Sequence, residues 1–112
     1  MDVSVVQRDD VTVLRVAGSV DALTAGSLTA AFQREVGAGR VRLVADLSAV
    51  DYTSSAGLRA LLGALKEART GGGDLRLAGP QQGVSKVLQL SGFTSILKVF
   101  GSVDDAVKSY GA

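Results

Sequence analysis

Thr53, Ser54 and Ser55 stand in a row where a strand-like run gives way to a helix-like one, in the stretch VDYTSSAGLRALLGALKEAR over residues 50–69. Hydroxyls at a helix entrance can cap the helix, act as nucleophiles or accept a phosphoryl group. The nucleophile reading needs a base. The chain has no histidine and no cysteine, which removes the commonest general base, the thiolate nucleophile and the usual transition-metal ligands. Lys66 lies on the same helical run as Ser55, but ~16 Å along the axis at 1.5 Å rise per residue, so a Ser–Lys dyad is out of reach. The carboxylates Asp21, Asp46 and Asp51 fall at expected element ends, where a cap or turn role is the ordinary one. Capping by Thr53 or Ser54 contributes about 1 kcal/mol and uses one hydroxyl. Ser55 is then left in the first turn, where free N–H groups and the positive end of the helix dipole favour an anion. That arrangement suits a residue that receives phosphate rather than one that performs catalysis. Gly71-Gly72-Gly73 is no phosphate loop: it follows a helix, precedes a strand and lacks GK[ST].

The elements that position these residues follow from periodicity. Residues 2–8 and 11–17 are valine-rich and flank Asp9-Asp10, an expected hairpin, and Gly18 breaks the second run. Residues 21–36 read as a helix with Asp21 as N-cap and Leu28, Phe32 and Val36 at helical spacing. VRLVADL over 41–47 reads as a buried strand ending near Asp46, which makes a crossover and parallel pairing. Residues 54–69 form the clearest helix, with Leu58, Leu61, Leu62 and Leu65 in one stripe. A strand over 74–78, a helix over 82–91 stopped by Gly92, and a strand over 96–100 follow. A last helix over 102–110 is opened by the capping-box-like pair Ser102 and Asp105. The order is β-β-α-β-α-β-α-β-α, an α/β architecture with a mixed sheet flanked by helices. In such a sheet, strand C-termini and helix N-termini share the edge where sites are found.

The 112 residues fit one domain spanning 1–112, and 46% of them are apolar, enough for a core. The net charge of +1 is interspersed, and two tyrosines and three phenylalanines are the only aromatic residues. Nothing here marks a nucleic-acid surface, and no apolar run approaches the ~20 residues of a membrane span. The N-terminus MDVSVVQRDD carries no secretion signal, so a cytoplasmic protein is expected. No cofactor and no metal site are expected. On the helix over 54–69, Ala56, Ala60, Gly63 and Glu67 fall opposite the leucines. Glycine costs ~1 kcal/mol in a helix interior, and small residues let another backbone approach, so this face is read as an outward docking surface.

Three segments together resemble the anti-sigma factor antagonists, proteins made of a single STAS domain. They are VLRVAGSVDALTAGSL, DLSAVDYTSSAGLRALLGALKEAR and LAGPQQGVSKVLQLSGFTSILKVFGSVDDAV, and the resemblance they carry extends over essentially the whole chain. The resemblance implies a STAS-like mixed sheet with flanking helices and a partner switch. Unphosphorylated protein binds an anti-sigma factor that is itself a serine-protein kinase, and sigma factor is released. Phosphorylation by that kinase ends binding, and a serine phosphatase resets it. The family motif DSSGLG overlays SSAGL, placing the phosphorylated serine on Ser55, the family's aspartate on Ser54 and its second serine on Ala56. Asp21 matches the acidic residue of the family's GELD-like stretch. The expected partner-binding residues are Asp21, Thr53, Ser54, Ala56, Arg59, Ala60 and Gly63. An alternative is a STAS scaffold subunit of a lipid-transport ATPase complex or of a stress-signalling assembly.

Overall fold

Two valine-rich segments start the chain as an antiparallel pair. In the computed structural model, which describes residues 1–111, β1 (Asp2–Arg8) pairs with β2 (Val11–Val20), from Asp2 opposite Ala17 to Arg8 opposite Val11. The turn between them is Asp9-Asp10, with Asp9 at φ 58°, a left-handed conformation that a short polar side chain tolerates. Gly18 does not end β2, although its type predicts a break. The strand continues to Val20 because Gly18 adopts φ 94° and absorbs one of two register shifts against the next strand. A bulge bends a strand without terminating it.

The helix expected over 21–36 starts later. Residues 22–24 form a separate turn, and α1 runs Ala25–Gly37. Its apolar stripe, Leu28 and Phe32 with Ala31, is buried. The chain then enters β3 (Arg42–Thr53), twelve residues long and parallel to β2. The strand does not end at Asp46. That residue, opposite Ala78, is the last of β3 to pair with β4 (Asp74–Ala78). Beyond it β3 is carried by β2 alone, through Ala17–Ala49, Ser19–Tyr52 and Val20–Thr53. β5 is shorter than expected, Lys98–Phe100, because the N–H groups of Ile96 and Leu97 donate to the Phe93 carbonyl at 3.1 and 2.8 Å, at the end of a 3-10 turn over Phe93–Ser95. It adds to β4 in parallel, and the sheet order is β1-β2-β3-β4-β5.

Strand alternation divides the apolar side chains between the two sheet faces. Leu14, Val16, Leu43, Ala45, Leu75 and Leu77 point to one face, where they meet α1, α2 (Ser55–Thr70) and α3 (Gln82–Leu90) in the main core. Val11, Val13, Val44 and Ala78 point to the other, covered by Ala106 and Val107 of α4 (Val103–Lys108). Ser102 caps α4 by accepting the Asp105 N–H at 3.1 Å, as its spacing predicts. Tyr110, just past α4, places its hydroxyl 2.7 and 2.8 Å from the carbonyl oxygens of Leu43 and Asp74. It thereby fixes the α4 end to the starts of β3 and β4.

Candidate functional site

The free extension of β3 creates the site. Its end and the end of β2 lie side by side, and α2 starts at once from their shared edge. The Ser54 N–H donates to the Val20 carbonyl at 2.8 Å, so the residue before the helix is still tied to the sheet. Ser54 is extended (φ −89°, ψ 176°), and its hydroxyl accepts the Gly57 N–H at 3.4 Å. Its carbonyl takes the Leu58 N–H at 3.1 Å. Of the two expected caps, Ser54 is therefore the one used. Thr53 is buried, and its hydroxyl donates to the Ser54 carbonyl at 3.3 Å. It supports the edge from beneath and does not offer the exposed contact expected of it.

Ser55 is the first helical residue and is exposed. Its hydroxyl makes no hydrogen bond among the described residues, because Ser54 has taken the capping role. By helix geometry the N–H groups of Ser55 and Ala56 lack intrahelical carbonyl partners, and no acidic side chain occupies the first turn.

Asp21 comes to the same edge, one residue after Val20. It caps the turn before α1 rather than α1 itself. Its carboxylate accepts the N–H groups of Leu23 at 2.9 Å and Thr24 at 3.0 Å, while its own N–H donates to the Thr24 hydroxyl at 2.9 Å. These bonds favour the ionised form and hold the carboxyl below the usual aspartate range, the Leu23 N–H contributing most. The turn holds Leu23 out into solvent, 92% exposed, and on the adjoining strand Tyr52 is 53% exposed. Asp51 accepts the Ser19 hydroxyl at 2.9 Å across the two strands. Sequence reasoning did not select Leu23 or Tyr52. The available signal was an apolar residue within the run expected to be helical, off its Leu28–Phe32–Val36 stripe.

The small-residue face of α2 is not simply outward. Gly57, Ala60, Ala64 and Ala68 are buried with Leu61 and Leu65, whereas Leu58 and Leu62 are only partly covered. The helix is rotated from the orientation that its leucines predict, because it packs on α1 as well as on the sheet. Ala60 is thus a packing residue. Gly63 and Glu67 are exposed and Ala56 half-buried. With Arg59 they border a groove of about 270 Å³ whose other side is Thr29, Phe32 and Gln33 of α1. Asp46 lies away from this edge, accepting the N–H and hydroxyl of Ser48 at 3.0 and 2.7 Å. Among the described residues no group of acidic side chains is placed to hold a metal ion, and no helix is long and apolar enough to cross a membrane.

The STAS domain model matches residues 2–106. A Bordetella bronchiseptica protein provisionally named anti-sigma factor antagonist BtrV is 35% identical over 102 residues, which are 91% of this chain and 88% of that protein. The crystal structure of an anti-sigma factor antagonist from Mycobacterium paratuberculosis superposes with a TM-score of 0.89 at 27% identity, over 96% of this chain and 92% of that one. Bacillus SpoIIAA shares the fold at lower identity. Its unphosphorylated form matches with a TM-score of 0.78 at 16% identity, over 99% of this chain and 100% of that one. Its phosphorylated form gives 0.75 at 18%, over 97% and 99%. The chain belongs to the STAS domain family, the family of these anti-sigma factor antagonists.

Proposed function

We propose that the protein is an anti-sigma factor antagonist. It binds, when unphosphorylated, an anti-sigma factor that is also a serine-protein kinase, and it releases the sigma factor. Phosphorylation of Ser55 switches it off. The observation that carries this reading is the division of labour at the α2 entrance: Ser54 caps the helix, so the Ser55 hydroxyl has no structural task and faces solvent. The existence of both forms of SpoIIAA supports it. The binding surface is the edge formed by Asp21, Leu23, Tyr52 and Ser54 together with the groove border at Ala56, Arg59 and Gly63.

The protein is an acceptor and not an enzyme. The kinase supplies ATP, its metal ion and the base. Ser55 Oγ forms the new bond to the γ-phosphorus, the bond to the β–γ bridging oxygen breaks, ADP leaves, and the hydroxyl proton passes to the kinase. A serine phosphatase then delivers water to the phosphorus and returns serine and inorganic phosphate. ATP-dependent control of this kind places the protein in the cytoplasm.

The test is to purify the protein from its own cells with its bound partner and to identify that partner. A kinase-type anti-sigma factor that transfers one phosphoryl group to Ser55, losing affinity as it does so, is the expected result. Recovery with a membrane transporter or a large stress assembly, and no such kinase, overturns the reading. The isolated chain with ATP and magnesium is expected neither to hydrolyse the nucleotide nor to label itself.

A further inference from the structure

We propose that Arg59 is the intramolecular partner of the phosphate on Ser55, closing a guanidinium–phosphate pair along the first two turns of α2. The inference rests on the reading of Ser55 as the modified residue and adds the side chain that receives the charge.

Ser55 and Arg59 are at i and i+4 on one helix, and both are exposed. That spacing puts the two side chains one above the other. Helical side chains lean toward the N-terminus, over the turn that precedes their own Cα. Arg59 therefore covers Ser55 and not the reverse. Among the described residues Arg59 makes no ion pair and no side-chain hydrogen bond, although five other arginines (Arg8, Arg40, Arg42, Arg69 and Arg76) are paired with carboxylates. It is the only charged residue between Ser55 and Leu62.

The surroundings leave the pair unopposed. Across the groove α1 presents Thr29 and Gln33, both neutral. Glu67 borders the same groove but lies ~12 Å along the axis from Arg59. Asp21 and Asp51 at the sheet edge are engaged with their own donors and carry the charge that a phosphate avoids. A cation near a helix N-terminus is unfavourable on its own, and a phosphate there is favourable. Modification of Ser55 reverses the electrostatic balance of the turn. The planar guanidinium offers paired donors to phosphate oxygens. The pairing also withdraws Arg59 from the binding surface, so one modification adds an anion and removes a cation.

The experiment uses the full chain with phosphoserine installed at position 55 by codon reassignment, so that no kinase is needed. Phosphorus NMR titration then follows the second ionisation of the phosphate in the wild-type background, in Arg59→Gln and in Arg59→Lys. The expected result is a phosphate that ionises at lower pH in wild type than in Arg59→Gln, by a few tenths of a pH unit. Arg59→Lys should recover part of the difference, and high salt should shrink it. The thermal midpoint should rise on phosphorylation in wild type and not in Arg59→Gln. Identical titrations in wild type and Arg59→Gln overturn the proposal, since the helix N–H groups alone would then account for the phosphate environment. Should Arg59→Gln unfold, the lysine variant and the salt dependence of wild type decide the matter. A kinase found to modify another residue would sink the proposed switch without touching this measurement.

Discussion

Gly57 and Thr53 are in such close approach that a Cβ on Gly57 would overlap the Thr53 hydroxyl and lie 2.9 Å from Val20 Cγ1. The first turn of α2 can sit on the ends of β2 and β3 only because this residue has no side chain. Gly57→Ala gains up to about 1 kcal/mol of helix propensity but forces an overpacked contact costing about 1–3 kcal/mol. The expected net result is a lower urea midpoint with an unchanged slope. Gly63 has open space around the same position, so Gly63→Ala is expected to raise the midpoint, with a gain in unfolding free energy of up to about 1 kcal/mol. Equal effects of the two substitutions would show that the close approach does not govern the entrance.

The capping role is assigned to one hydroxyl of three. Ser54→Ala is expected to cost about 1 kcal/mol, while Ser54→Asp, which keeps an acceptor at the cap, costs little. Ser55→Ala is expected to change stability by less than about 0.5 kcal/mol, as for an exposed residue without partners. Chemical denaturation of the three variants checks the assignment. A loss at Ser55 equal to that at Ser54 would exchange their roles.

Much of this architecture is legible in the sequence because period and punctuation agree. The hairpin at Asp9-Asp10, the capping pair Ser102–Asp105 and the stops after α2 and α3 are set by local chemistry. What is not legible depends on tertiary context. Gly18 reads as a break, yet it is a bulge within a strand because β3 pairs on both sides of it. The late half of β3 lies beyond the strand expected over 41–47, and pairing with β2 alone carries it to Thr53. Ala60 looks outward when helix orientation is judged by leucines alone, but α1 supplies a second packing surface that buries alanines. The serine row is visible at once, whereas Leu23 joins it through the Asp21 turn.

Asp21 ties that turn to pH. Its carboxyl is held below the ordinary aspartate range, first by the Leu23 N–H and then by the Thr24 hydroxyl and N–H. The ionised form is therefore the one that the fold favours. Its contribution is complete above the aspartate value of the unfolded chain and is lost as pH falls through the lowered folded value. Asp21→Asn keeps an acceptor oxygen but has no proton to gain. The acid limb of its unfolding free energy against pH is expected to be shallower than that of wild type. Superimposable acid limbs would mean that the turn does not read the charge.

At the groove, Gly63→Arg places a long cation where α2 leaves open space. The residue is exposed, so the thermal midpoint is expected to stay near that of wild type. Capture of the anti-sigma factor should be lost, because the backbone of a docking element can no longer approach. Normal capture by this variant would confine the interface to the sheet edge around Asp21 and Ser54.

The switch itself is tested at Ser55. Phosphate adds about −1.5 to −2 charges at pH 7. Within the domain, the helix N-terminus and Arg59 offset that charge, so circular dichroism and the thermal midpoint should report an intact fold. Against a partner the same charge must be desolvated or left facing a group that no longer matches it, which costs several kcal/mol. Each 1.4 kcal/mol is roughly tenfold in affinity, so two or three such increments reduce binding by about a hundred- to a thousandfold. Ser55→Ala is expected to bind the anti-sigma factor whether or not ATP is present and to accept no phosphate. Ser55→Asp carries less charge than phosphate and should fold normally yet bind more weakly than wild type. Mass spectrometry of the kinase-treated protein should place the phosphate on Ser55, with Thr53 and Ser54 unmodified. Phosphate on Ser54 would move the switch by one residue, to the cap itself. Undiminished binding by protein phosphorylated at Ser55 would remove charge as the mechanism.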